Sequence, residues 1–261
     1  MKNQYFGDVN DYRKYSLLHS LASSGLSIAV CWMLTPDASN AKDGRLLGYL
    51  DNPNIHRQYG PDLYDKLQAC RCDWKSGRAS RGVCLAERHN LIPEASYYPR
   101  TLTDSAHERA QYFEDFWPQA QSREVIFFDP DNGIEVKSKA YGSKNSSKYL
   151  YWCEIYEAWS RGHSLVVYQH FPHEKRSPFI ERRVHELMDR TGARQVYSWR
   201  TPSVCFFMLV QQRHRTQVRQ AVSAVVQRWW NARRYEMQDW PGGQMLAPTT
   251  PSPTELEEEQ P

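Results

Sequence analysis

Residues 124–133 read EVIFFDPDNG, and this stretch decides the fold. Residues 124–128 predict a buried strand, because a short apolar run belongs in a parallel sheet covered on both faces. The chain then passes directly into Asp129-Pro130. Pro130 fixes its own φ and biases Asp129 to extended backbone, so a carboxylate is delivered at the strand end. Asp131-Asn132-Gly133 is good turn chemistry. Ligands of open parallel sheets bind at the carboxyl ends of the strands, so the segment reads as a functional loop as well as a turn.

Working outward, the same logic repeats. Residues 27–34 (SIAVCWML) and 164–169 (SLVVYQ) are further apolar runs of strand length. A helix is expected over 10–23, with Asp8 or Asn10 as N-cap and Gly25 as its stop. Helices are expected over 61–69, 104–117, 147–161 and 176–190, and a long one ending near 234. Short strands are expected near 82–87 and 95–99. Strands 194–199 and 203–210, joined at Arg200-Thr201-Pro202, imply one antiparallel hairpin. The result is a Rossmann-like α/β fold: a mostly parallel sheet, a terminal antiparallel hairpin, and helices on both faces. The body covers 1–240. Residues 52–119 are open between a helical insertion or cap and part of the sheet. Residues 241–261, rich in Pro, Gly, Thr and Glu, read as a disordered acidic tail.

The chain has 261 residues, with 40% hydrophobic and 24% charged, an ordinary globular balance rich in aromatics. No run of 18 apolar residues predicts a membrane span, and no apolar segment near Met1 predicts a signal peptide. A cytoplasmic setting and no membrane partner are the corresponding expectations. Cys31, Cys153 and Cys205 sit in apolar runs. Cys70, Cys72, Cys84 and His89 lack standard zinc spacing and read as loop thiols rather than a metal site. Net charge is only +3, but residues 161–234 hold 14 Lys and Arg against 4 Asp and Glu. With Tyr197, Trp199, Trp229 and Trp230 interleaved, this basic region suggests a nucleic-acid partner, against the plainer reading of a solvated helical face.

Three strand ends carry candidate chemistry: Thr35-Pro36-Asp37, Asp129 to Gly133, and His170-Phe171-Pro172-His173-Glu174. Asp129, Asp131 and Asn132 suit a bound Mg²⁺. Asp129, Asp131, His170 and His173 together would make the metal centre of a nuclease or phosphoesterase. Glu154 and Glu157 are expected to be solvated or paired with Arg161.

The strand, the Asp-Pro-Asp-Asn-Gly loop and the helix, strand, helix and hairpin that follow resemble the second half of class I S-adenosylmethionine (SAM) methyltransferases. In amino-methylating members the loop is often Asp-Pro-Pro-Tyr. There the acid and the following backbone carbonyl accept hydrogen bonds from the target amine, and the aromatic stacks on the base. The resemblance implies that Asp129 accepts the amine, while Asn132 stands where the aromatic would be. The opening Gly7-Asp8-Val9-Asn10-Asp11-Tyr12-Arg13-Lys14-Tyr15 is similar to the first helix of the ribosomal-RNA adenine methyltransferase family RlmJ. On that match Asp11 and Lys14 fall on the family's Asp and Lys, and Tyr15 on a cofactor-contacting His. The three-Cys-motif partner family has a related layout. A bacterial group with YFGD and DPDNG also resembles the chain but brings no activity with it.

The glycine-rich loop expected after residues 27–34 is replaced by LTPDASNAKDGR, with Thr35 and Asp37 as cofactor-binding candidates and Gly44 as its one glycine. Three functions follow as expectations. The first is methyl transfer from SAM to a base amine, with SAM over strands 27–34 and 82–87. The second is metal-dependent hydrolysis, and the third is an inactive methyltransferase-like binding or partner module.

Overall fold

A computed structural model describes residues 1–37, 44–229, 232 and 235–241 of the chain. A sheet of seven strands forms its middle: β1 (Ile28–Cys31), β2 (Ser96–Tyr98), β3 (Val125–Phe128), β6 (Ser164–His170), β7 (Gln195–Arg200), β8 (Val204–Leu209) and β9 (Glu236–Pro241). The order is β2-β1-β3-β6-β8-β7-β9. The pairs β2–β1, β1–β3 and β3–β6 are parallel. The pairs β6–β8, β8–β7 and β7–β9 are antiparallel. This is the Rossmann-like α/β arrangement with a terminal hairpin that the sequence predicts. A small second sheet pairs β4 (Gly133–Ile134) with β5 (Tyr149–Leu150).

Alternation along the strands sorts the helices into two layers. Ile28, Val30 and Trp32 point to one face, with α1 (Val9–Ser23), α3 (Pro61–Lys75) and α8 (Arg215–Trp229). Ala29, Cys31 and Met33 point to the other, with α5 (Ala106–Ala120), α6 (Trp152–Ser160) and α7 (Arg176–Thr191). Asp8 caps α1 by accepting from the Asn10 and Asp11 amides at 2.8 and 3.0 Å. Gly192, in the left-handed region at φ +72°, ends α7. Among the described residues no helix is long and apolar enough to cross a membrane.

Several boundaries differ from the sequence reading. The expected strand at 82–87 is α4 (Cys84–Arg88), a helix that buries Leu85 and Ala86. The short helix α2 (Pro53–His56) precedes α3, which runs on to Lys75. Residues 52–119 thus build both layers and the β2 edge strand rather than a separate cap. The helix expected over 147–161 begins only at Trp152, after β5. α8 is described as far as Trp229, residues 230, 231, 233 and 234 of the expected helix lie outside the described residues, and β9 follows, a strand the sequence reading did not contain. Pro241, the first residue of the expected tail, belongs to β9; residues 242–261 lie outside the described residues.

Candidate functional site

The strand order turns back on itself beside β1: the chain goes out to β2 on one side and to β3 and β6 on the other. Such a switch point leaves a crevice at the carboxyl ends of the strands. A cleft of about 340 Å³ opens there, lined in the N-terminal segment by Met1, Lys2, Tyr5, Asp8, Asn10, Asp11 and Lys14, and beyond it by the 44–46 segment, Asp129–Asn132, Lys148, Tyr168 and His170.

Its floor is a buried charge network. Lys14 Nζ bonds Asp129 Oδ2 at 2.7 Å and pairs with Asp11 Oδ1 at 2.6 Å. Asp11 Oδ2 accepts from the Gly7 amide at 2.8 Å. The rings of Tyr15, Trp32, Phe127 and Tyr168 surround the ammonium at 5.1–5.9 Å from their centroids. Burial works against the charged lysine, but the two carboxylates outweigh it and hold Lys14 above the ordinary lysine range. Asp8, on the cleft wall, is raised to about 7 by burial and then by the neighbouring Asp11 carboxylate.

The second part of the site faces the cleft from between β1 and β3. Asp131 Oδ2 accepts from Thr35 Oγ1 at 2.9 Å. The α-amino group of Met1 lies among three acceptors: Asp131 Oδ1 at 2.8 Å, the Asp129 carbonyl at 2.9 Å and the Met33 carbonyl at 3.1 Å. Burial alone would raise Asp131; the Met1 ammonium and the Thr35 hydroxyl bring it below the ordinary carboxylate range. Met33 is held at φ +47°, a region that side chains rarely adopt. Asn132 is anchored through its backbone, its amide donating to the Lys148 carbonyl and its carbonyl accepting from His170 and Gln169. Gly133 has φ +114°, and a Cβ there would lie 2.3 Å from the Gln169 side chain.

Of the candidates read from sequence, Asp11, Lys14, Asp129, Asp131, Thr35, Asn132 and His170 come together at this cleft or its floor. Tyr15 is a core residue, with its hydroxyl 3.5 Å from Asp11. Asp37 is exposed and accepts from the Gln4 amide. His173 is exposed and lies outside the cleft. Residues 38–43 of the loop that replaces the glycine-rich turn lie outside the described residues. Among the described residues no group of three or more His, Cys, Asp or Glu is arranged to hold a metal ion. Cys70 is buried, Cys72 and Cys84 are exposed, and His89 bonds Asp73 at 2.8 Å.

Two further findings concern charge. Glu154 is buried and bidentate to Arg109, whereas Glu157 pairs with Arg161 as expected. The basic run 161–234 is split by the sheet, with α7 on one face and α8 on the other. Sequence reasoning missed the Met33 carbonyl, Tyr168 and Lys148, and saw Asp8 only as a cap. No family model matches the chain, and no curated protein matches it closely enough to count as a relative.

Proposed function

We propose that the chain transfers a methyl group from SAM to an amine, with a nucleic-acid base as the acceptor. The observation that carries this reading is the set of three oxygens around one nitrogen between β1 and β3. The Asp129 carbonyl, the Met33 carbonyl and the Asp131 carboxylate take the three N–H bonds of the Met1 ammonium, so a substrate amine would replace Met1 in that cradle. The resemblance expects the Asp129 side chain in that role. Its carboxylate is instead committed to Lys14, so the acceptor role passes to the Asp129 carbonyl and to Asp131. Lys14 and Asp11 then act as positioning residues, holding the backbone of the loop by way of Asp129.

The residues fit the cofactor in size and charge. The cleft volume falls within the ~300–1,000 Å³ of small-molecule sites. Asp8 on its wall suits a ligand that carries a positive charge. When bound, SAM supplies an electrophilic methyl group. The chain's own work is to orient the amine, exclude water and keep the loop rigid. Lys2, Arg45 and Lys148 on the cleft lining favour an acceptor that carries phosphates.

The test is transfer of labelled methyl from SAM to single-stranded oligonucleotides. Asp131→Asn keeps the size of the side chain and a carbonyl for Thr35 but removes the charge. A loss of about 10²-fold or more in kcat/KM is expected, the scale of losing one well-placed polar partner. An unchanged rate removes Asp131 from the site.

A further inference from the structure

Buried cations are normally paired with acids. Lys14 has Asp11 and Asp129, Arg109 has Glu154, and Arg183 has Glu186. Arg13 does not follow this pattern. It is 8% exposed, and among the described residues no carboxylate lies within ion-pair distance of it. Its Nη1 donates to Asn10 Oδ1 at 2.8 Å and reaches Ser203 Oγ at 3.5 Å. Ser203 Oγ donates to the same Asn10 oxygen at 2.8 Å, so two donors share one acceptor. Among the described residues Arg13 Nε has no hydrogen-bond partner, while the guanidinium also acts on the Tyr235 hydroxyl. The guanidinium lies 5.1 Å from the Tyr235 ring centroid, and Asn10 itself lines the cleft.

We infer that Arg13, with Asn10 and Ser203, forms a subsite for a phosphate group beside the cleft. A phosphate supplies the missing anion and takes several N–H bonds from one guanidinium. It also accepts from the Ser203 hydroxyl, freeing the Asn10 oxygen for Arg13 alone. The subsite lies where the α1 helix meets the β7–β8 turn, on the β6 side of the cleft. A ligand reaching from the amine site past Tyr168 would carry its phosphate there. The subsite rests on Arg13 and stands without the methyl-transfer reading; only the nucleotide as the carrier of the phosphate rests on that reading.

The first experiment is thermal melting in millimolar inorganic phosphate against chloride of equal ionic strength. Because phosphate stabilises proteins generally, the readout is the difference between wild type and variants. Ser203→Asp places a carboxylate beside Arg13. It is expected to melt higher than wild type in chloride and to lose the specific phosphate response. Arg13→Gln should lose the same response. A phosphate shift equal in wild type and both variants overturns the subsite. Titration with a nucleoside monophosphate and with a single-stranded oligonucleotide separates a free nucleotide from a polymer. For the polymer, Arg13→Gln should lower affinity about tenfold and reduce the salt slope by ~0.7, one phosphate contact. A slope and affinity equal to wild type also overturn the proposal. The melting shift needs no turnover: a shift without methyl transfer keeps the subsite and removes the reading above, and transfer without a shift does the reverse.

Discussion

Lys14 and Asp129, 115 positions apart in the chain, meet at 2.7 Å in the interior. One comes from α1 and the other from the end of β3, and Asp11 completes the group at 2.6 Å from the lysine. Two carboxylates share one ammonium beneath the cleft, with Lys14 only 1% exposed. The network ties the first helix to the loop that carries Asp131 and Asn132.

Lys14→Met is expected to destabilise the protein by about 3–5 kcal/mol, the cost of leaving a buried charge unpaired. Two acids would lose their common partner at once. Urea unfolding measures this. A loss below about 1 kcal/mol would mean that the acids find other partners or protonate freely.

Asp8 makes stability depend on pH. Its pKa is raised from 3.8 to about 7 by burial first and the Asp11 carboxylate second. A raised carboxyl favours the folded state while it is protonated. Its contribution is complete below about pH 4 and is lost as pH rises through 7. Asp8→Asn caps the helix equally well and cannot ionise. The variant should match wild type in melting near pH 4 and exceed it at pH 8, by an amount on the order of a few kcal/mol. Asp104 and Asp131, both lowered, act in the opposite direction but are common to the two proteins. Parallel melting curves from pH 4 to 8 would contradict this account of Asp8.

Gly133→Ala meets two obstacles, a φ of +114° and the Gln169 side chain 2.3 Å from the new methyl group. Gln169 also bonds the Ile134 amide and the Asn132 and His170 carbonyls. The backbone strain alone is worth about 1–3 kcal/mol, and displaced hydrogen bonds add to it. A melting point equal to wild type would show that the loop is not held as described.

Much of the frame was legible because its signals are local. The VIFF run into Asp129-Pro130, the apolar run from Ser27 to Leu34 and the turn at Thr201 each declare their element within a few residues. The run VCLA at 83–86 is too short to separate strand from helix by apolarity, and tertiary packing makes it α4. β9 reads EMQDWP, with no apolar pattern; it exists because β7 offers an unpaired edge. The site followed the same division. Asp129 and Asp131 were visible at a strand end. That Lys14 would take the Asp129 carboxylate, and that the Met33 carbonyl would accept from the Met1 amino group, depends on contacts between distant segments. Only the resemblance placed Asp11 and Lys14 near the site.

Calorimetric titration with SAM, read beside methyl transfer, tests the central claim most directly. Wild type is expected to bind SAM with micromolar affinity. Asp131→Asn should keep that binding and lose transfer to the oligonucleotide, because Asp131 is assigned to the amine and not to the cofactor. No SAM binding by wild type, with or without nucleic acid present, would contradict the account.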